Sequence, residues 1–147
     1  MDQWKSGSFE IYKSLGAAQI SLKTPQRDER GWVTRDGCIF ITVAPGVDKQ
    51  QWDWTKKITF ALGINDICLM MGSPEAPPKL IHDLNGTLKT LFFKPGVDKY
   101  EGTFMLQISQ SGTDEKLQIS VPFTAGEYAV LLKLIGAAVP MIVGWFA

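Results

Sequence analysis

The chain has 147 residues, 45% hydrophobic and 20% charged. That is enough apolar material for one ordinary folded domain, and it excludes a disordered chain. Fifteen basic residues balance fifteen acidic ones, so the chain lacks the positive excess of proteins that hold duplex DNA by neutralising phosphates; a single-strand binder that works by ring stacking is left open.

The opening residues, Met1-Asp-Gln-Trp-Lys-Ser-Gly-Ser, hold no apolar leader and are short and acidic for a transit peptide, so an intracellular location is expected. Phe9–Lys13 and Ala18–Lys23 alternate apolar and polar residues, the period of a half-buried strand. Pro25–Arg30 reads as a polar loop, and Cys38–Val43 is a dense run of β-formers ended by Ala-Pro-Gly. Residues 51–62 read Gln-Trp-Asp-Trp-Thr-Lys-Lys-Ile-Thr-Phe-Ala-Leu. If that stretch is extended, Trp52, Trp54 and Lys56 share one face, with Lys57 beside them. Rings that stack on bases and ammonium groups that hold phosphates are what single-stranded nucleic acid requires. On this motif alone the plainer reading, two core tryptophans beside a solvated lysine pair, comes first.

Next, Asn65 is an N-cap candidate for a short helix with Asp66 in its first turn, Gly72 at its end and an apolar stripe of Ile67, Met70 and Met71. Ser73–Pro78 is a loop. Lys79–Asp83 and Thr87–Lys94 flank Asn85-Gly86, a two-residue hairpin signal. Thr103–Ser109 and Lys116–Val121 flank a turn at Ser111-Gly112-Thr113-Asp114. Thr124-Ala-Gly-Glu127 is a capping box that opens the C-terminal helix. From Ala129 to Ala147 that helix is apolar nearly throughout. Its composition could pass for a membrane span, but Lys133, Pro140 and two glycines interrupt it, and a helix buried in a core or between subunits fits better. Leu131, Leu134, Ile135, Val139 and Ile142 are therefore expected at a homo-oligomer interface, with no membrane partner.

The order is four strands and a helix, twice over: an α+β chain forming one domain, residues 1–147. The pentapeptide Pro-Gly-Val-Asp-Lys occurs at 45–49 and again at 95–99, out of register with that repeat, and reads as turn chemistry used twice. Cys38 and Cys68 lie in apolar runs and read as buried free thiols. With one histidine and no Cys-x-x-Cys there is no zinc pattern. His82 and Asp83 alternate to opposite faces of a strand, and no catalytic motif is present. No enzyme activity, cofactor, metal or small-molecule substrate is expected. Further stacking candidates are Tyr12, Trp32 and Phe93. Phosphate-contact candidates are Lys13, Lys23, Lys56, Lys57, Lys89 and Lys94, each of which is otherwise a solvated surface lysine.

Four segments together resemble the Whirly family of plant single-stranded DNA-binding proteins. They are Gly16-Ala-Ala-Gln-Ile-Ser-Leu-Lys-Thr-Pro25; Trp52-Asp-Trp-Thr-Lys-Lys-Ile-Thr-Phe-Ala-Leu62; Leu80-Ile-His-Asp-Leu84; and Val121–Leu131 with the ending Pro140-Met-Ile-Val-Gly-Trp-Phe-Ala147. The resemblance implies two antiparallel four-stranded sheets packed crosswise and helices that hold a tetramer. It implies single-stranded DNA lying along the sheets and across subunits with little sequence preference, in replication, recombination or repair. The family has two lysines before its Ala-Ala pair, a motif linked to assembly beyond the tetramer. Here only Lys13 stands nearby, displaced, so that assembly is not expected. The alternative to all of this is an oligomeric scaffold whose rings merely fill subunit contacts.

Overall fold

The computed structural model describes residues 7–73, 75–112 and 115–145. Outside them lie residues 1–6, Pro74 of the expected loop, Thr113 and Asp114 of the expected turn, and the last two residues of the C-terminal ending.

The chain opens with the hairpin β1 (Ser8–Tyr12) and β2 (Gly16–Lys23). A small ribbon follows, β3 (Gln26–Arg27) and β4 (Val33–Arg35). Then β5 (Cys38–Asp48) pairs antiparallel with β2 along one edge. Its other edge carries two pieces, β6 (Gln51–Trp52) and β7 (Ile58–Leu62). The first sheet thus has four strand positions, the fourth broken in two. After α1 (Ile64–Gly72) come β8 (Leu80–Leu84), β9 (Thr87–Pro95), β10 (Phe104–Ser111) and β11 (Lys116–Phe123), an antiparallel meander. The chain closes on α2 (Ala125–Ile142). The α+β class, the antiparallel sheets and the long C-terminal helix are as the sequence implies.

Local chemistry explains most boundaries. Asn85 and Gly86 both adopt positive φ, 54° and 86°, the conformation a two-residue hairpin needs to match strand twist. Thr124 caps α2 reciprocally: its hydroxyl accepts the Glu127 N–H at 3.1 Å, and Glu127 accepts the Thr124 N–H at 2.9 Å. The N-cap of helix α1 lies two residues before the expected one. Gly63 is its N-cap, because the Asp66 carboxylate takes the Gly63 N–H at 3.0 Å; Ile67 and Met70 are buried, whereas Met71 is exposed. The expected polar loop is part of the ribbon. Asp28 Oδ1 accepts the N–H groups of Arg30 and Trp32 at 2.9 and 3.0 Å, an Asx turn that sets the hairpin tip.

The core lies between the two sheets and α2. Ile39, Ile41 and Val43 of β5 and Ile58, Phe60 and Leu62 of β7 face Leu91, Phe93, Leu106, Ile108, Ile119 and Val121 of the second sheet. From α2, Tyr128, Leu131, Ile135, Ala138 and Ile142 enter it, the 3–4 spacing of one helix face. This corrects the interface expectation: Leu131, Ile135 and Ile142 are fully buried in the chain's own core. A helix apolar all round still spends one stripe on its own domain. Val139 is half-buried, while Leu134, with Val130 and Met141, remains exposed beside an open apolar groove of about 590 Å³. The thiol expectation fails in part: both cysteines are free, but Cys68 is exposed on α1 and Cys38 only half-buried, where burial pushes its thiol up against the pull of Lys23 and Arg35.

Candidate nucleic-acid interface

Strands β1 and β6 lie on opposite edges of the first sheet, but the end of β1 and β6 come together at one end of it, where the β1–β2 turn folds onto β5. Lys13 and Gly16 close the β1–β2 turn by exchanging two backbone hydrogen bonds, 3.0 and 3.2 Å. The turn then presses onto Gly46 of β5, where a Cβ would lie 2.0 Å from the Ser14 carbonyl oxygen. Only glycine admits that approach. Opposite Gly46 stands Trp52. Its indole N–H donates to the Lys13 carbonyl at 2.9 Å, and its ring lies 4.9 Å from the Tyr12 ring, tilted by 53°. Tyr12 is exposed and Trp52 half-exposed, so the pair presents aromatic surface to solvent. The Lys13 ammonium lies 3.0 Å from Glu127 at the start of α2.

The chain does not continue from Trp52 as a strand. The Asp53 carboxylate accepts the Thr55 N–H at 3.1 Å and takes the Thr55 hydroxyl as well. Those bonds hold its carboxyl below the ordinary range. They also favour a 3-10 turn over Trp54–Lys56 in place of the ladder. Trp52, Trp54 and Lys56 therefore do not share a strand face, which corrects the alternation expected from the sequence. Trp54 is half-buried on the turn, and Lys56 and Lys57 are exposed directly after it.

The other candidates scatter. Lys23 sits on the outer face of β2 with its ammonium 5.6 Å from the Phe40 ring centre. Lys89 turns inward and donates to the Thr59 carbonyl at 2.8 Å, tying β9 to β7, so its charge is engaged in the fold. Phe93 is a core residue, 4% exposed, with its ring 5.7 Å from that of Phe123 and 5.0 Å from that of Tyr128; it has no free face for a base. The strand pleat puts Phe92 and Lys94, not Phe93, on the outside of β9. Trp32 is 71% exposed at the ribbon tip. The ribbon is anchored where α2 ends: Arg27 donates to the Gly144 carbonyl at 2.8 Å and the Gly37 N–H to the Ile142 carbonyl at 2.9 Å. Lys13 contacts the start of α2. The helix has 18 residues, about 27 Å at 1.5 Å per residue. Tyr12, Lys13 and Trp52 thus form one cluster, with Trp54, Lys56 and Lys57 adjoining, and Trp32 stands at the opposite end of the helix.

His82 has a carboxylate partner that alternation alone could not reveal. Its Nε2 lies 2.9 Å from Asp66 Oδ2 and its ring stacks on Phe60 at 4.1 Å. Asp83, next in sequence, is exposed and accepts the Gly86 N–H at 3.3 Å. Because Asp66 also caps α1, the pair fastens that helix to β8.

Comparisons with known proteins agree with this architecture. The chain is 27% identical to the Zea mays protein "Single-stranded DNA-binding protein WHY1, chloroplastic", over 94% of this chain and 56% of that one. It is 28% identical to the Arabidopsis thaliana protein "Single-stranded DNA-binding protein WHY2, mitochondrial", over 93% of this chain and 63% of that one. It therefore spans less than two thirds of the length of these relatives. The crystal structure of WHY1 from Arabidopsis thaliana superposes with a TM-score of 0.88 at 22% identity, covering 99% of this chain and 89% of that one, which establishes the fold. The family model described as "Whirly transcription factor" matches residues 11–134, most of the chain, and the chain belongs to the Whirly family.

Proposed function

We propose that this protein binds single-stranded DNA without sequence preference, stacking bases on the Tyr12–Trp52 pair and holding phosphates with Lys13, Lys56 and Lys57. The observation that carries the reading is the ring pair itself. Tyr12 and Trp52 lie together at the end of the first sheet, the indole fixed by a hydrogen bond that uses its only polar atom, with Lys13 paired to Glu127 beside them and the exposed Lys56 and Lys57 following on the turn. Every base has a flat face, so such a platform takes any sequence. The names of the plant relatives support the same ligand. Work in replication, recombination or repair, inside the cell, fits a protein of this kind. The exposed apolar face of α2, centred on Leu134, supports a homo-oligomer, for which a tetramer is our reading: soluble monomers rarely leave such a patch bare.

Titration of fluorescently labelled oligo-dT, and of a duplex of the same length, tests the reading. Single strands are expected to bind far more tightly. With so few free lysines, the log–log salt slope should correspond to about two to four phosphates per subunit at about 0.7 per contact. Equal affinity for duplex and single strand overturns the reading.

A further inference from the structure

Two Gly-Trp dipeptides, Gly31-Trp32 and Gly144-Trp145, meet where the β3–β4 ribbon packs on the end of α2. Both glycines have positive φ, 89° and 83°. Their carbonyls share one guanidinium: Arg27 donates through Nη1 to Gly31 at 2.7 Å and through Nη2 to Gly144 at 2.8 Å. A Cβ on Gly144 would lie 2.5 Å from Cγ2 of Val33, the residue after Trp32. Both tryptophan backbones are fixed. The N–H and carbonyl of Trp32 each bond to Asp28 at 3.0 Å. The Trp145 N–H reaches back to the Pro140 carbonyl at 2.9 Å and the Gly144 N–H to that of Met141 at 3.2 Å, the paired bonds of a Schellman ending. The indoles themselves stand open, 71% and 79% exposed. Among the described residues no aromatic ring packs on either, and no acceptor is bonded to either indole N–H. Trp52 differs, its N–H being engaged by Lys13. Residues 26–36 hold three arginines (Arg27, Arg30, Arg35) and three carboxylates (Asp28, Glu29, Asp36), so the ribbon has no positive excess to hold a phosphate chain.

We infer that Trp32 and Trp145 form a docking site for a proline-rich segment of a partner protein, bound in the polyproline II conformation. Such a segment shows compact pyrrolidine rings, has no N–H at its prolines and leaves its carbonyls unbonded. It therefore needs what these two tryptophans keep unused: apolar ring faces against which prolines pack, and N–H donors for carbonyls. The segment is stiff before it binds and the indoles stand on fixed backbone, so little ordering entropy opposes the contact. Arg27 is a positioning residue, because one guanidinium sets the spacing of the two dipeptides. Lysine cannot replace it, since an ammonium group lacks the planar fork that reaches two carbonyls at once. The site is independent of single-strand binding. Trp32 is a stacking candidate as well, so Trp145 separates the two uses.

The test is titration of isotope-labelled protein with oligoproline, and with a glycine–serine peptide of the same length, followed by NMR. The five indole N–H signals are assigned with single Trp→Phe variants. Oligoproline should shift the Trp32 and Trp145 signals and leave that of Trp52 in place, and the control peptide should shift none. Trp145→Ala should weaken oligoproline binding roughly tenfold or more, the loss expected for an aromatic anchor. Its circular dichroism and its oligo-dT affinity should be unchanged, because the side chain is exposed and lies outside the Tyr12–Trp52 cluster. Arg27→Lys should move both indole signals in the peptide-free protein, leave that of Trp52 alone and weaken oligoproline binding. Trp32 and Trp145 signals that oligoproline leaves unmoved overturn the proposal. If oligo-dT moves the Trp145 signal and oligoproline does not, the pair serves the single strand instead, and the proposal is equally wrong.

Discussion

The indole N–H of Trp52 donates to the backbone carbonyl of Lys13 at 2.9 Å, across 39 positions of sequence. That bond joins the β1–β2 turn to β6 and fixes the ring beside Tyr12. With its polar edge occupied, the indole keeps only its faces for a ligand, the geometry that stacking needs.

Glu127 restrains the other half of that cluster. Burial acts to raise its carboxyl pKa, but hydrogen bonds from Thr124 and Lys13 and the Lys13 charge outweigh it, so the group sits below its ordinary value of 4.5. The charged form therefore favours the fold. This contribution is complete above the ordinary value and is lost as pH falls through the lower folded one. Glu127→Gln keeps a side chain able to serve the capping box and removes the charge. Urea unfolding followed from pH 6 to about pH 3 should show the intact protein losing more stability than this variant. Above pH 6 the variant should bind oligo-dT slightly more tightly, because Lys13 is released to phosphate.

Phe93→Ala should act on stability alone. A fully packed phenylalanine replaced by alanine costs about 3–5 kcal/mol, read as a lower urea midpoint. At temperatures where the variant is folded, its oligo-dT affinity should match that of the intact protein.

The exposed and buried faces of α2 should separate assembly from folding. Leu134→Asp places a charge on the exposed groove face and should split the oligomer in light scattering with little change in circular dichroism. Ile135→Asp, one residue on, buries a carboxylate in the core and should unfold the chain. A Leu134→Asp protein that keeps its oligomeric mass places the interface elsewhere.

Trp32→Ala should weaken oligo-dT binding independently of Trp52→Ala. The two rings lie toward opposite ends of a helix about 27 Å long, too far apart to couple directly. The double variant should show the sum of the single losses within about 0.5 kcal/mol. A loss much smaller than the sum would mean the two rings serve one site.

The architecture was largely legible in the sequence because its signals are local. Alternation in Ala18–Lys23, the Asn85-Gly86 turn and the Thr124–Glu127 box each determine their own neighbourhood. What escaped depends on side chains reaching back to the main chain or on long-range contacts. Asp53 diverts residues 54–56 from the ladder by bonding Thr55, and Asp28 turns a polar loop into a ribbon. The two copies of Pro-Gly-Val-Asp-Lys diverge for a similar reason: residues 45–48 extend β5, whereas residues 98–100 form a 3-10 turn. Phe92 and Phe93 are adjacent identical residues, so only the register of β9 decides which one is outside. A one-residue change of register exchanges every face, and Phe93, expected as a stacking ring, is the one turned into the core. Within α2, composition announced an apolar helix but not which stripe the domain keeps.

The most direct test of the stacking account is the affinity for oligo-dT of the intact protein, Trp52→Phe and Trp52→Ala, each first shown to be folded by circular dichroism. The account predicts that alanine weakens binding roughly 5- to 150-fold, about 1–3 kcal/mol for a lost stacking ring, and that phenylalanine recovers most of the loss. Affinity unchanged in folded Trp52→Ala would contradict it.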